Sequence, residues 1–157
     1  MTPSREACVE PDRKIRVFVS FDPEHDGDLL ALLHAQAARS DAAFEIVGSS
    51  APRLRDDLAD LTMHEQIRQA DQVIVLCGEH SDQSGRMGAE LRVAQEEDRV
   101  CLLLWGRRAP MCKRPATAQP GQSMYSWTWE ILQEQLRTAR RLAASDPPVA
   151  APAVSAG

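Results

Sequence analysis

One carboxylate occupies the apolar stripe of a predicted helix, and its chemistry is the first question that this sequence raises. Residues 86–97 have helical periodicity, with Met87, Leu91 and Ala94 on one face. Glu90 falls within the same apolar arc when the residues are placed around a helix. Because burial disfavours an ionised carboxylate, we expect the pKa of Glu90 to be raised, as is common at functional sites.

A single carboxylate of this kind suits the cleavage of a ribosyl bond. The transition state resembles an oxocarbenium ion, so a nearby negative charge stabilises it and can also hold the ribose hydroxyls. A positively charged leaving group such as nicotinamide needs little help from an acid. The structural alternative for Glu90 is a boundary side chain that reaches water or pairs with Arg86, four residues earlier.

The segments around Glu90 alternate between strand and helix patterns. Strands are predicted at residues 15–21, 44–47, 72–77 and 100–105, and helices at 29–39, 54–70, 86–97 and 124–141. This order predicts an α/β protein with a flavodoxin-like three-layer fold, in which a parallel sheet has strand order 2-1-3-4 and room for a short fifth strand. The domain is expected at residues 14–141, between disordered tails at 1–13 and 142–157.

The predicted topology places a ligand crevice at one edge of the sheet. Such sheets bind ligands at the carboxyl ends of their strands, where the strand order reverses. Here the order reverses between the first and third strands. The expected walls of the crevice are the residues at the ends of these two strands, namely Ser20, Phe21 and Asp22 on one side and Gly78, Glu79 and His80 on the other.

Several other chemistries lack their sequence motifs. No P-loop and no dinucleotide-binding glycine pattern occur, and no serine lies in a G-x-S-x-G turn. His64 and Glu65 begin a zinc-protease motif, but Arg68 stands where the second histidine is needed. A phosphate-accepting receiver domain needs an aspartate after the third strand, where the chain reads Cys77-Gly78-Glu79. These absences leave glycosidic cleavage as the favoured chemistry.

Composition excludes other classes of partner. The net charge is -5 and no long basic stretch occurs, which argues against nucleic acid and anionic membranes as partners. No apolar run approaches the ~18 residues of a membrane helix, and the N-terminus lacks a signal peptide. The four cysteines show no metal-binding spacing, so we expect a reduced, cytoplasmic protein without a bound metal. The basic loop from Arg107 to Arg114 is either a solvated loop or a surface for a pyrophosphate or a partner.

Five segments resemble the TIR-like domains of bacteria, and the closer match is to the TIR proteins of Thoeris anti-phage systems. The resemblance covers residues 14 to about 136 and includes the first-strand sequence RVFVSF at 16–21. The segments are FVSFD at 18–22 with His25 and Asp26, IRQADQVIVLCGEH at 67–80, GAELRVA at 88–94, LLWGR at 103–107 and MYSWTW at 124–129. In place of the BB loop of the family, the chain has a short segment with proline and arginine at 51–55.

The resemblance implies a flavodoxin-like TIR fold and an activity on NAD⁺. Catalytic members need a glutamate on the helix after the third strand, and Glu90 matches that position. Thoeris-type members convert NAD⁺, as substrate rather than cofactor, into an ADP-ribose-derived signal that activates a partner effector. The resemblance also implies that Ser20, Phe21 and Asp22 line the nucleotide pocket, with Asp22 or His25 on the ribose. Self-association through TIR domains is a further implied property.

Two other hypotheses remain open at this stage. The chain can be a non-catalytic TIR-like module that binds a protein or a nucleotide. It can also resemble nucleoside deoxyribosyltransferases, which use a carboxylate on a similar fold. Phe21 likewise has two interpretations, as a platform for a base or nicotinamide ring and as a core residue at the end of a strand.

Overall fold

The computed structural model describes residues 13–50, 57–119 and 121–145. Most of both predicted tails and the segment at 51–55 lie outside the described residues. The strands are β1 (Ile15–Ser20), β2 (Phe44–Ser49), β3 (Gln72–Cys77), β4 (Val100–Trp105) and β5 (Met124–Ser126). The helices are α1 (Gly27–Ala37), α2 (Asp57–Gln69), α3 (Gly85–Glu96) and α4 (Trp129–Ser145), and two single-turn 3₁₀ segments lie at Ser81–Gln83 and Ala109–Met111.

The five strands form one parallel sheet in the order β2-β1-β3-β4-β5. This confirms the predicted α/β, flavodoxin-like fold, and the short fifth strand takes its place at the edge. The bounds of β3 and β4 agree with the prediction, because continuous apolar runs are typical of strands that helices cover on both faces. The strand order reverses between β1 and β3, so the expected crevice lies at their carboxyl ends.

Two hydrophobic cores lie on opposite faces of the sheet. On one face, Val17 and Val19 of β1 pack in a cluster with Leu33 of α1 and Leu132 of α4. On the other face, Phe18 packs in a cluster to which α2 and α3 contribute their buried side chains. Because successive strand residues point to opposite faces, these two clusters place α1 and α4 on one side and α2 and α3 on the other. The helix that carries Glu90, α3, therefore packs on the same face of the sheet as Phe18 and α2.

The last predicted helix was wrong at both ends. Residues 124–126 pair with Leu103–Trp105 as strand β5, and the helix begins only at Trp129. Thr128 caps the start of this helix. Its side-chain oxygen accepts a hydrogen bond from the backbone N–H of Ile131, and its carbonyl oxygen accepts one from the backbone N–H of Leu132. The helix continues to Ser145, past its predicted end at Arg141. Pairing with a neighbouring strand, which no local pattern encodes, decided the first of these boundaries.

Among the described residues, no helix is long and apolar enough to cross a membrane. Cys77, Cys101 and Cys112 are free thiols, and Cys8 lies outside the described residues. Burial raises the pKa of Cys77 to about 12 and that of Cys101 to about 11, so both thiols stay protonated and inert near neutral pH.

The end of β4 depends on a glycine. A Cβ at Gly106 would lie 2.7 Å from the carbonyl oxygen of Cys77 and 2.6 Å from Leu29. Backbone atoms at the end of a central strand cannot move aside cheaply. We expect Gly106→Ala to lower the free energy of unfolding by about 2 kcal/mol, measured by urea denaturation. Gly27→Ala, at the start of α1 with open space around it, is the control and should change stability by less than about 0.5 kcal/mol.

Candidate functional site

The first turn of α3 fixes the direction in which Glu90 points. Ser84 precedes the helix, and its hydroxyl oxygen accepts a hydrogen bond from the backbone N–H of Met87 at 3.2 Å. From this start, Met87 and Leu91 point into the core and are fully buried. Glu90 lies on the same face and its exposed fraction is 0%. The burial predicted from the helical pattern is confirmed.

The Glu90 carboxylate reaches the carboxyl ends of the sheet and is bound there by two serines. The hydroxyl of Ser20, the last residue of β1, donates to Oε1 at 2.7 Å. The hydroxyl of Ser50, which follows β2, donates to the same oxygen at 2.6 Å. The other oxygen, Oε2, is buried and has no hydrogen-bond partner among the described residues. An unpartnered buried carboxylate oxygen is costly, so this atom needs an explanation beyond packing.

The environment raises the pKa of Glu90 from its ordinary value of 4.5 to about 7. Burial is the largest cause, because it removes water from the ionised form. The hydrogen bonds from Ser50 and Ser20 lower the pKa, and the positive charge of Arg86 lowers it further. The alternative interpretation of Glu90 as a solvated boundary residue is wrong, and Arg86 acts on it only through its charge.

An aspartate–histidine pair follows β1. Asp22 Oδ2 lies 2.7 Å from His25 Nδ1, and Asp22 Oδ1 accepts a hydrogen bond from the backbone of Glu24. The hydrogen bond to Asp22 is the main cause that raises the pKa of His25 above 6.5. The His25 ring stacks on the His80 ring, with 3.9 Å between their centroids. The stack joins the loops that follow β1 and β3, as expected for the two walls of one crevice.

A cavity of about 350 Å³ opens between these loops and the start of α3. Two of the predicted wall residues, Asp22 and His80, line it together with His25, which was predicted to contact the ribose. The rest of the lining comes from the same two loops and from the first turn of α3, namely Pro23, Glu24, Gln83, Ser84, Gly85 and Arg86. Glu90 is not part of the lining and lies one helical turn beyond Arg86.

The other predicted wall residues lie elsewhere. Ser20 is buried against Glu90, and Glu79 is exposed at the start of the loop after β3. Phe21 is 4% exposed and belongs to the core cluster of α1 and α4. Of its two interpretations, the core residue is the one the structure bears out, because a ring buried on that face has no surface left for a base. Gly78 packs against Asp26, whose Oδ2 would lie 2.3 Å from a Cβ at Gly78.

The basic loop is attached to the fold through Arg107. Its guanidinium contacts both carboxylate oxygens of Asp28, at 2.9 and 2.8 Å, and Oδ1 of Asp26 at 2.9 Å. Asp26 is 2% exposed, and its buried Oδ2 has no hydrogen-bond partner in the described part of the chain. These ion pairs lower the pKa of Asp28. Arg107 therefore connects the loop after β4 to the start of α1 through ion pairs. Neither interpretation of the basic loop anticipated this structural role.

Sequence reasoning missed Ser50 and Asp26 as parts of this region. Ser50 follows β2 directly, and the rule that ligands bind at the carboxyl ends of parallel strands applies to β2 as well. That signal was available and would have singled out Ser50. Asp26 had no such signal, because its neighbour Arg107 is far away in the sequence and only the fold brings them together.

One group of described residues has the donor set of a metal site. The ligand atoms of Asp22, Glu24 and His25 all lie within 4.8 Å of one another at the cavity wall. Carboxylate and imidazole ligands suit a divalent transition-metal ion. Among the described residues these three are the ones placed to hold such an ion.

Comparisons with known proteins do not assign this chain to a family. The chain matches no family model, and no curated protein matches it. The geometry of the crevice therefore carries the functional argument.

The buried carboxylate should make stability depend on pH. Because its pKa is raised from 4.5 to about 7, folded Glu90 holds a proton that the unfolded chain releases. Its contribution to the free energy of unfolding therefore falls as the pH rises from 4.5 to about 7, by about 3 kcal/mol in total, and is constant above. Glu90→Gln removes this titration and should gain stability relative to the native chain above neutral pH.

The measurement is urea denaturation of both chains at several pH values. The difference between them isolates Glu90, because His25 and the other groups titrate in both. Parallel curves for the two chains across the range would contradict a buried carboxylate with a raised pKa.

Proposed function

We propose that this chain is a TIR-like NAD⁺ nucleosidase that breaks the bond between nicotinamide and ribose. The observation that carries the proposal is the buried Glu90 carboxylate at the carboxyl ends of β1 and β2, with Oε2 unpartnered. A desolvated carboxylate interacts strongly with a cation that develops beside it, because little water screens the charge. A cavity of about 350 Å³, whose lining ends at Arg86 one helical turn before Glu90, supplies space at the point where strand order reverses.

The chemistry needs one negative charge and one acceptor. As the C–N bond breaks, nicotinamide leaves as a neutral molecule with the bonding electron pair, and positive charge develops on the ribose. In the proposal Glu90 stabilises this charge, and Oε2 accepts a hydrogen bond from a ribose hydroxyl. Water then adds to the anomeric carbon and loses a proton, giving ADP-ribose. Attack by a group of the same molecule gives a cyclic product instead.

The cavity residues have a supporting part in this proposal. In the proposal Asp22 or His25 contacts the ribose hydroxyls, and Arg86 and the start of α3 line the same cavity. Because Glu90 lies one turn beyond Arg86, the proposal requires the nicotinamide ribose to reach past the described lining toward Oε2. The Asp22–His25 bond fixes the tautomer of a neutral His25, or holds a charged one as an ion pair.

The wider role follows from the same resemblance. We infer a cytoplasmic enzyme of an anti-phage system of the Thoeris type. Its product would be a diffusible nucleotide that activates a separate effector. Self-association of the TIR-like domain belongs to the same proposal.

The direct test is the release of nicotinamide from NAD⁺, followed by chromatography. We expect Glu90→Gln to lower turnover by about a hundredfold or more, because the amide cannot supply the negative charge. The matched control is Glu96→Gln, an exposed glutamate on the same helix, which should keep native turnover.

Three outcomes contradict the proposal. Full turnover in Glu90→Gln would remove Glu90 from the mechanism. Binding of NAD⁺ without release of nicotinamide would favour the non-catalytic module. Exchange of bases between deoxynucleosides would identify a deoxyribosyltransferase instead.

The pH profile provides a second test of the same carboxylate. Since the ionised form is the active one and burial raises the pKa to about 7, kcat/KM should rise with pH through about 7 and then level off. Assays between about pH 5.5 and about pH 8.5 cover this limb. A profile that is flat across this range, with turnover still dependent on Glu90, would contradict the assigned ionisation.

A further inference from the structure

Two serines approach the Glu90 carboxylate from neighbouring parallel strands. Ser20 is the last residue of β1 and is 0% exposed, and Ser50 follows β2 and is 4% exposed. The backbone N–H of Ser50 donates to the carbonyl of Val19 at 2.9 Å, so the two strand ends are joined beside the carboxylate. Both hydroxyls are therefore held by the sheet and not by a loose loop.

The hydrogen bonds of Ser50 have a defined direction. Its oxygen accepts a hydrogen bond from the backbone N–H of Phe21 at 3.0 Å. The hydroxyl hydrogen then remains for Glu90 Oε1, at an O–O distance of 2.6 Å. Ser20 donates to the same oxygen at 2.7 Å. Both distances lie in the ordinary range for a hydrogen bond between a hydroxyl and an oxygen acceptor.

The two bonds make the oxygens of Glu90 unequal. Oε1 receives both protein donors, and Oε2 receives none among the described residues. We propose that Ser20 and Ser50 are positioning residues of the nucleosidase reaction, which hold Oε1 so that Oε2 is the oxygen presented to the substrate. This inference rests on the proposed function for its kinetic part, and its structural part is measurable without turnover.

The serines also adjust the ionisation of Glu90. Their hydrogen bonds favour the charged form and oppose the desolvation that raises the pKa. Arg86, on α3 itself, is the charged side chain that acts in the same direction. From the ends of β1 and β2, by contrast, Glu90 is met by neutral hydroxyls. Without these hydroxyls a carboxylate in this position would be protonated over more of the neutral pH range.

Ser20→Ala is the cleaner test variant, because the hydrogen bond of the Ser20 hydroxyl among the described residues goes to Glu90. The full chain is labelled with ¹³C at the glutamate carboxyl, and the Glu90 signal is assigned as the one missing from Glu90→Gln. We expect its titration midpoint to rise by about one unit in Ser20→Ala, because a donor to the ionised form is lost. In the NAD⁺ assay, kcat should fall about tenfold with little change in KM, since Ser20 does not line the cavity.

Two further variants separate positioning from general damage. Ser50→Ala should shift the Glu90 titration in the same direction, and it also leaves the Phe21 N–H without its partner. The matched control is Ser81→Ala, which removes a fully buried serine hydroxyl that accepts from the Gly78 backbone and does not contact Glu90. This control should leave the Glu90 titration where it is in the native chain.

The outcomes distinguish this inference from the proposed function. An unchanged Glu90 titration in folded Ser20→Ala, or an equal shift in Ser81→Ala, overturns the positioning role whatever the enzyme activity. A shifted titration with unchanged kcat, in a chain that turns over NAD⁺, overturns its kinetic part. If the Glu90 titration shifts but the chain never releases nicotinamide, the result supports the hydrogen bonds of the serines to Oε1. The same result refutes the proposed function and leaves the structural part of this inference intact.

Discussion

The desolvation of one carboxylate is the constraint on which this site depends. Glu90 is fully buried on a helix packed against the sheet, and the ends of two parallel strands each contribute a hydroxyl to the same oxygen. Such an arrangement is unfavourable for the ionised form, since two neutral donors and a nearby Arg86 only partly replace the lost water. A side chain kept in this state points to a role outside stability, because a neutral residue of similar size would fold at lower cost.

The crevice beside this carboxylate is built by contacts between segments that are distant in the chain. The His25–His80 stack connects the loops after β1 and β3, and Arg107 connects the loop after β4 to the start of α1. Solvent screens the ion pair between Arg107 and the exposed Asp28, and it screens the contact between Arg107 and the buried Asp26 less. Together these contacts connect three loops at the carboxyl ends of the strands, and the loops after β1 and β3 line the cavity.

Most of the fold and the position of Glu90 were predictable from local patterns. Continuous apolar runs in β3 and β4 and the helical stripe of α3 are local signals of burial, and the structure bears out all three. Strand β5 was not predictable in this way, because two half-buried residues and one exposed residue form a strand only when β4 lies beside them. The ring of Phe21 likewise had two possible environments, and packing on the α1 face decided between them.

The sequence by itself determined the α/β class and the burial of one carboxylate on the third helix, because hydrophobic periodicity records which face of each element leaves water. Only the tertiary structure decided what that carboxylate meets. Ser20 and Ser50 are separated from Glu90 by 70 and 40 residues, as Asp26 is by 81 from Arg107. Hydrogen bonds over such separations depend on how the strand ends align, and no pattern of neighbouring residues records that alignment.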